Sequence, residues 1–159
     1  MLKKILSGKA CAECQLCCIF DRYEVWETPV FNEKTKNLLL ELRPDVKFIS
    51  KDGGYIYRVE ELIGNELFYC PALDRSSGCI LGDNKPFDCR IWPYRIMNIS
   101  GRRAITICPI CDELFNRPLS QLIGFLKEEL AEKIFSYADT QPEIVKEYDD
   151  MYPILMFEK

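Results

Sequence analysis

Cysteines are the residues of this sequence whose type and spacing could do chemistry. The chain has 159 residues, with nine cysteines and no histidine. A cysteine thiolate can bind a metal, attack an electrophile or form a disulfide. The absence of histidine excludes Cys–His zinc sites and histidine-based catalytic triads. The cysteines fall into three groups along the chain: Cys11, Cys14, Cys17 and Cys18; then Cys70, Cys79 and Cys89; then Cys108 and Cys111.

The first group has the spacing of a metal-binding loop. Cys11 and Cys14 form a C-x-x-C pair, which lets two thiolates turn toward one metal, and Cys17 follows at the same interval. This run matches the three-ligand segment of bacterial 4Fe–4S ferredoxins, whose remote ligand is a cysteine followed by proline. Two such dipeptides occur here, Cys70-Pro71 and Cys108-Pro109. The spacing therefore predicts an iron–sulfur cluster of the 4Fe–4S type.

Zinc is the direct competitor for the same thiolates. The C-x-x-C pair Cys11/Cys14 and the second pair Cys108/Cys111 could together form a tetrahedral site with four cysteine ligands. The adjacent doublet Cys17-Cys18 does not readily bind one ion, so it indicates either two centres or one thiol that is not a ligand. All nine cysteines are candidate metal ligands, and iron–sulfur and zinc both stay open.

The N-terminal segment, the hydropathy and the net charge indicate the cellular compartment and the kinds of binding partner. The segment Met1–Lys9 lacks the apolar run of a signal peptide, so we expect a cytoplasmic protein, and disulfides are rare in that reducing compartment. No stretch approaches the ~20 apolar residues of a membrane span. The net charge is −4, whereas nucleic-acid-binding proteins usually carry a basic surface. We therefore expect metal as the partner, with neither nucleic acid nor membrane.

One cation stands beside a candidate ligand. Arg90 directly follows Cys89, and the residues after it, Ile91 to Tyr94, are largely apolar. A positive charge near thiolates stabilises them and lowers their pKa. We therefore predict that Arg90 contacts the metal centre. The alternative is that Arg90 stacks on an aromatic ring or caps a carbonyl group.

Hydrophobic periodicity predicts the elements that position the cysteines. Apolar residues at helical spacing between Pro118 and Asp139 predict a helix that packs across the cysteine-bearing part. The fold class expected is α+β, a small single domain of short antiparallel hairpins with cysteine-bearing loops and this C-terminal packing helix. The other predicted elements are a helix starting at Asn32 and ending at Arg43-Pro44, a hairpin of 46–49 with 55–59, a strand at 66–69, a hairpin of 94–98 with 103–107, a short helix at 142–148 and a strand at 154–157.

Five ordered blocks of the sequence, taken together, carry a resemblance: Cys11-x-x-Cys14-x-x-Cys17-Cys18, Cys70-Pro71-Ala72-Leu73, Gly78-Cys79-Ile80-Leu81, Lys85-Pro86-Phe87-Asp88-Cys89-Arg90-Ile91-Trp92-Pro93 and Cys108-Pro109. The combination is similar to the zinc- or iron-chelating domain family, also called the CxxCxxCC or YkgJ-like cysteine-cluster family. Lys85 stands where that family usually has arginine, and Trp92 where it has tyrosine or phenylalanine. The resemblance covers residues 8–112, so we expect one domain over 1–159 with a family-like core at 8–112 and a helical extension at 113–159.

The resemblance implies a metal site rather than a particular reaction. A similar cysteine block occurs in flagellin lysine-N-methylases, so one alternative is an enzyme that uses the cluster or a free cysteine for redox or methyl-transfer chemistry. A second alternative is a structural zinc module that docks a protein partner. The sequence leaves open whether the protein is an enzyme. From the ordered match we expect these cysteines to lie close together in space: Cys11, Cys14, Cys17, Cys70, Cys79, Cys89 and Cys108.

Overall fold

A computed structural model describes residues 1–20, 26–58 and 67–159. These residues form short helices and small, mainly antiparallel sheets, which confirms the predicted α+β class. The chain divides into two compact units. Unit 1 consists of Met1–Leu6 and Ile91–Lys159, and unit 2 consists of Ser7–Arg90. The expected single domain, with a core ending near residue 112, stays a prediction.

The described residues of unit 2 form short helices and a series of short strands. The strands pair in antiparallel fashion as β1 with β4, β2 with β3 and β5 with β6. A 3-10 turn at Leu16–Cys18 links α1 to β1, and α3, Phe87–Ile91, leads into unit 1. The elements are α1 Gly8–Cys14, β1 Ile19–Phe20, α2 Glu33–Leu42, β2 Phe48–Lys51, β3 Gly54–Tyr57, β4 Phe68–Tyr69, β5 Leu73–Asp74 and β6 Gly78–Cys79.

The predicted elements of unit 2 follow local sequence signals. Asn32 caps α2, since its side chain accepts a hydrogen bond from the backbone N–H of Thr35 at 2.9 Å, and the predicted helix start is confirmed. The hairpin of β2 and β3 is confirmed, with its turn at Asp52 and Gly53, both at positive φ. The predicted strand before Cys70 is confirmed at β4. The parts of these predictions at Val59 and Glu66 lie outside the described residues.

The core of unit 2 contains aromatic residues. Phe31 contacts Phe48 and Tyr57 edge to face, at centroid distances of 5.2 and 6.2 Å. Leu39 of α2 and Leu73 of β5 are buried in the same cluster, which also contains Cys70. Cys18 and Cys79 are partly buried and pack against the same cluster, so this core helps to fix the positions of these cysteines.

Unit 1 is a four-stranded sheet with helices. The strand order is β10-β8-β7-β9, in which β9 is parallel to β7 and the other pairs are antiparallel. The predicted hairpin of β7 and β8 and the predicted terminal strand β10 are confirmed. The elements are β7 Tyr94–Ile99, β8 Arg102–Ile107, α4 Asp112–Phe115, α5 Leu119–Phe125, α6 Ala131–Thr140, β9 Lys146–Glu147 and β10 Ile154–Phe157.

The predicted C-terminal helix is confirmed as helical but is not uniform. Between α5 and α6 the segment Leu126–Leu130 is π-helical, and Leu126, Leu130 and Ile134 are buried. The predicted short helix at 142–148 is wrong beyond its first turn, because Pro142–Ile144 is a 3-10 turn and β9 then pairs with β7. No helix in the described ranges is long and apolar enough to cross a membrane.

Candidate metal centre

The pairing of β1 with β4 places Cys18 beside Cys70. Cys18 directly precedes β1 and Cys70 directly follows β4, and these antiparallel strands place Ile19 opposite Tyr69. The backbone N–H of Cys70 donates to the carbonyl of Cys18 at 2.9 Å. The two thiols are also hydrogen-bonded to each other. Two cysteines that are distant in sequence are therefore neighbours through backbone pairing and not through side-chain contact alone.

Cys17 lies beside Cys18 on the 3-10 turn that follows α1. Their sulfurs are 3.9 Å apart. The turn is set by Gln15, which ends α1 in the left-handed conformation at φ 56°. The Gln15 side-chain amide donates to the carbonyls of Ala12 at 2.7 Å and Arg75 at 2.9 Å, which ties α1 to the loop between β5 and β6.

Cys79 is brought to the same region by the short hairpin of β5 and β6. It pairs with Leu73, and Leu73 in turn donates its backbone N–H to the carbonyl of Cys70 at 2.8 Å. The preceding residue, Gly78, has φ +87°, and a Cβ there would lie 3.2 Å from the Cβ of Ala12. Glycine at this position therefore allows α1 to approach β6 closely.

Cys89 lies on α3 and interacts electrostatically with Cys18, Cys17 and Cys79. The neighbouring Asp88 anchors this helix, because its carboxylate accepts a hydrogen bond from the backbone N–H of Val30 at 3.1 Å. We define the thiol cluster as the five cysteines of unit 2 that these interactions connect. Its members are Cys17, Cys18, Cys70, Cys79 and Cys89.

The cluster favours neutral thiols over isolated thiolates. The hydrogen bond with Cys18, followed by burial, raises the pKa of the Cys17 thiol well above its ordinary range. For Cys18 the hydrogen bond with Cys17 lowers the pKa, but the hydrogen bond with Cys70 and burial outweigh it and raise the pKa to about 12. Burial and the charges of Cys18 and Cys17 raise the pKa of Cys89 well above its usual value. A bound cation would reverse this balance, since a coordinating thiol is deprotonated outright.

The thiol cluster as defined does not include the remaining predicted site residues. Cys11 is half-buried and Cys14 is exposed on α1, three residues apart and hence on one helix face. Cys108 and Cys111 belong to unit 1, where they line a cavity. Arg90 is exposed on α3. The expected proximity of Cys11, Cys14 and Cys108 to the cluster, and the role of Arg90, stay predictions.

The donor chemistry fits a metal, although the sulfurs do not form a closed ligand shell. Within residues 1–20, 26–58 and 67–159, no three cysteine, aspartate or glutamate side chains are arranged to hold an ion. Two sulfurs bound to one tetrahedral zinc lie about 3.8 Å apart, given a Zn–S distance of about 2.3 Å. The sulfurs of Cys17 and Cys18 are 3.9 Å apart, so the distance between them would allow both to bind one ion.

Sequence reasoning missed Lys85 and Asp88. Lys85 is the cation whose charge lowers the pKa of Cys17, opposing the effects that raise it. Lys85 belongs to the sequence block that contains Cys89, but no local sequence pattern indicated that its charge acts on Cys17, 68 positions earlier in the chain. Asp88 holds α3 against the segment at Val30, a contact that no sequence pattern encodes.

No protein-family model matches this chain, and neither does any curated protein or solved structure. The resemblance to the cysteine-cluster family therefore stays a prediction that depends on the quoted residues.

Proposed function

We propose that the protein binds a metal centre through the thiol cluster, as an iron–sulfur cluster or as zinc. One observation carries this proposal: five cysteines from four separate chain segments are connected, because each of the other four interacts with Cys18. Such a set of clustered thiols, with no histidine in the chain, matches the soft donors that zinc and iron–sulfur clusters take.

The thiol pKa values argue against nucleophilic catalysis by these cysteines when no cation is bound. A reactive cysteine needs a lowered pKa, because the thiolate is the nucleophile. The pKa values of Cys17, Cys18 and Cys89 are all raised. All nine cysteines are free thiols, which agrees with a proposed cytoplasmic location where thiols stay reduced.

The cluster provides more sulfurs than one four-ligand site needs. Cys18 has the most connections, since it interacts with Cys17, Cys70 and Cys79, and Cys89 interacts with it in turn. Each cysteine moves its sulfur by rotation about χ1 alone, so a bound ion would close the shell through rotamer changes and deprotonation. Cys11 and Cys14 stand on α1, which packs against β6 at Gly78, and they are further candidate ligands.

The test is metal analysis of protein purified without oxygen. We expect either broad visible absorption with stoichiometric iron and sulfide, or a colourless protein with zinc. Cys18→Ser and Cys89→Ser should weaken metal binding by more than about 100-fold, because losing a ligand costs more than the 10- to 100-fold typical of outer-shell partners.

The matched controls are Cys108→Ser and Cys111→Ser, the same chemical change in unit 1. They should keep the metal content and spectrum of the parent protein. If these controls lose the metal while the Cys18 and Cys89 variants keep it, the centre does not lie in the thiol cluster. Parent protein that contains neither iron nor zinc, and binds neither when they are supplied under reducing conditions, would refute the proposal altogether.

A further inference from the structure

Helix α1 carries two cysteines that the thiol cluster does not include. Cys11 and Cys14 are three residues apart, so both lie on one face of the helix. Cys14 is exposed and Cys11 is half-buried. The cluster already contains five thiols, whereas one tetrahedral zinc ion takes four ligands. A single zinc site therefore does not need these two thiols, and their accessibility to solvent favours a different role.

Packing and chain connectivity hold α1 near the cluster. Ala12, which lies between the two cysteines, packs against Gly78, where a Cβ would be 3.2 Å from the Cβ of Ala12. Gly78 directly precedes Cys79, a member of the cluster. Cys14 is three residues from Cys17, another member, so their Cα atoms are at most about 11 Å apart. The two thiols of α1 are therefore close enough to the cluster to act together with it.

Solvent exposure of the cysteines decreases from α1 toward the interior of unit 2. Cys14 and Cys17 are exposed, Cys18 is half-buried, and Cys70 is only 8% exposed. The sulfurs of Cys17 and Cys18 are 3.9 Å apart, and the thiols of Cys18 and Cys70 are hydrogen-bonded to each other. A bulky metal donor, such as a thiol peptide with its metal bound, can reach Cys14 but cannot reach Cys70 directly. The thiols thus form a series that leads from the surface to the buried side of the cluster.

We propose that Cys11 and Cys14 form an entry site, which takes zinc from a thiol-bearing donor and passes it to the cluster through Cys17. This inference rests on the proposed function, because the cluster is the acceptor of the ion. Each transfer exchanges one sulfur ligand for another. The bond between zinc and a donor sulfur breaks, a bond to the cysteine sulfur forms, and the cysteine proton moves to the departing donor sulfur. Zinc keeps its oxidation state, so the transfer needs no oxidant or reductant.

The experiment measures zinc exchange into the full-length, zinc-loaded protein without oxygen. The donor is zinc bound by reduced glutathione and enriched in one stable isotope, and mass spectrometry follows the isotope into the protein. The exchange rate of the parent should rise with donor concentration, because the donor takes part in the transfer. Cys11→Ser and Cys14→Ser should each slow the exchange about tenfold or more, since a serine hydroxyl does not replace a thiolate as a ligand. Both variants should keep the zinc content and the equilibrium zinc affinity of the parent, measured by competition with a chelator.

The matched control is Leu16→Ser, which places the same new side chain at an exposed position of the same segment and should exchange zinc as the parent does. Parent exchange rates in both cysteine variants would mean that the donor reaches Cys17 directly, and would overturn the inference while the metal site stands. A loss of zinc affinity of more than about 100-fold in either variant would make that cysteine a permanent ligand, which also overturns it. Parent protein with an iron–sulfur cluster and no zinc would overturn the entry site and keep the proposed function, whereas parent protein that binds no metal would overturn both.

Discussion

At the residue scale, the thiol cluster needs positive charge to form thiolates. Each sulfur that loses its proton raises the cost for the next one, as the mutual effects of Cys17, Cys18 and Cys89 show. A bound metal would supply most of the compensation, and nearby cations would supply the rest. Lys85 is a cation whose charge lowers the pKa of a cluster thiol, and it is half-buried, so solvent screens it only in part.

The prediction at this scale compares the effects of Lys85 and Arg90 on metal affinity. Lys85→Met removes the charge near Cys17 and keeps the length of the side chain, so metal affinity should fall about tenfold, as for other outer-shell partners. If Arg90 also neutralises the cluster, Arg90→Met should weaken binding by a similar factor. The measurement is competition with a chelator of known affinity for zinc, or the reduction potential if the centre is iron–sulfur.

Charge-preserving variants serve as controls for that comparison. Lys85→Arg and Arg90→Lys keep the positive charge and should bind metal nearly as well as the parent protein. An unchanged affinity in Lys85→Met would mean that the amino group does not act on the metal-bound thiolates. An unchanged affinity in Arg90→Met, with an exposed side chain at that position, would leave Arg90 without a role in the centre.

At the element scale, α1 and β6 must approach closely to place the first and second cysteine groups together. The contact point is Gly78 against Ala12, where a Cβ would be 3.2 Å from its neighbour. Gly78→Ala should therefore destabilise the protein by about 1–3 kcal/mol, from backbone strain at positive φ plus the close contact. It should also weaken metal binding, because Cys79 is the next residue. Urea unfolding and metal analysis check these two effects.

Gly82 provides the matched control for this prediction. It also has positive φ, +53°, but a Cβ there would meet nothing within 4 Å. Gly82→Ala should therefore cost only the conformational strain, about 1 kcal/mol, and leave metal binding as in the parent. If both variants unfold at the same urea concentration and bind metal equally, the close approach of α1 to β6 does not explain the glycine at position 78.

Much of the element pattern was predictable from local signals. The cap at Asn32, the turns of both predicted hairpins and the periodicity of the C-terminal helix are short-range features, and the structure contains each of them. The π-helical segment Leu126–Leu130 was not predictable from the sequence. A single wider turn changes the spacing of the apolar residues too little to distinguish it from an ordinary α-helix. β9 was mistaken for helix because its pairing with β7 joins segments nearly 50 positions apart, and tertiary contacts override local propensity.

The candidate site was predictable in residue type and not in geometry. Cysteine spacing identified the candidates, and reducing context favoured metal over disulfides. Which cysteines become neighbours depends on strand register, such as Ile19 opposite Tyr69, and register is a property of the folded sheet. The position of Lys85 near Cys17 likewise arises only from tertiary packing.

At the scale of the whole molecule, the two units have different sources of stability. Unit 1 has a four-stranded sheet, and buried residues such as Ile96, Ile105 and Leu126 lie in its strands and helical segments. The strand pairs described in unit 2 are two-stranded, and two-stranded pairs are only marginally stable alone in water. Unit 2 therefore depends more on its aromatic core and on any metal bound by the thiol cluster.

The prediction at this scale concerns removal of the metal under reducing conditions. Ligation free energy is available only to the folded site, so the metal-free protein should have a clearly lower melting temperature. The loss should be local: amide hydrogen exchange should accelerate in β1, β4, β5 and β6, while β7, β8 and α6 keep their protection. The control is Cys111→Ser with metal bound, which should show the parent exchange pattern throughout. Acceleration of equal size in both units would contradict a separate role for the metal in unit 2, and an unchanged melting curve after verified metal removal would show that the metal does not stabilise the fold.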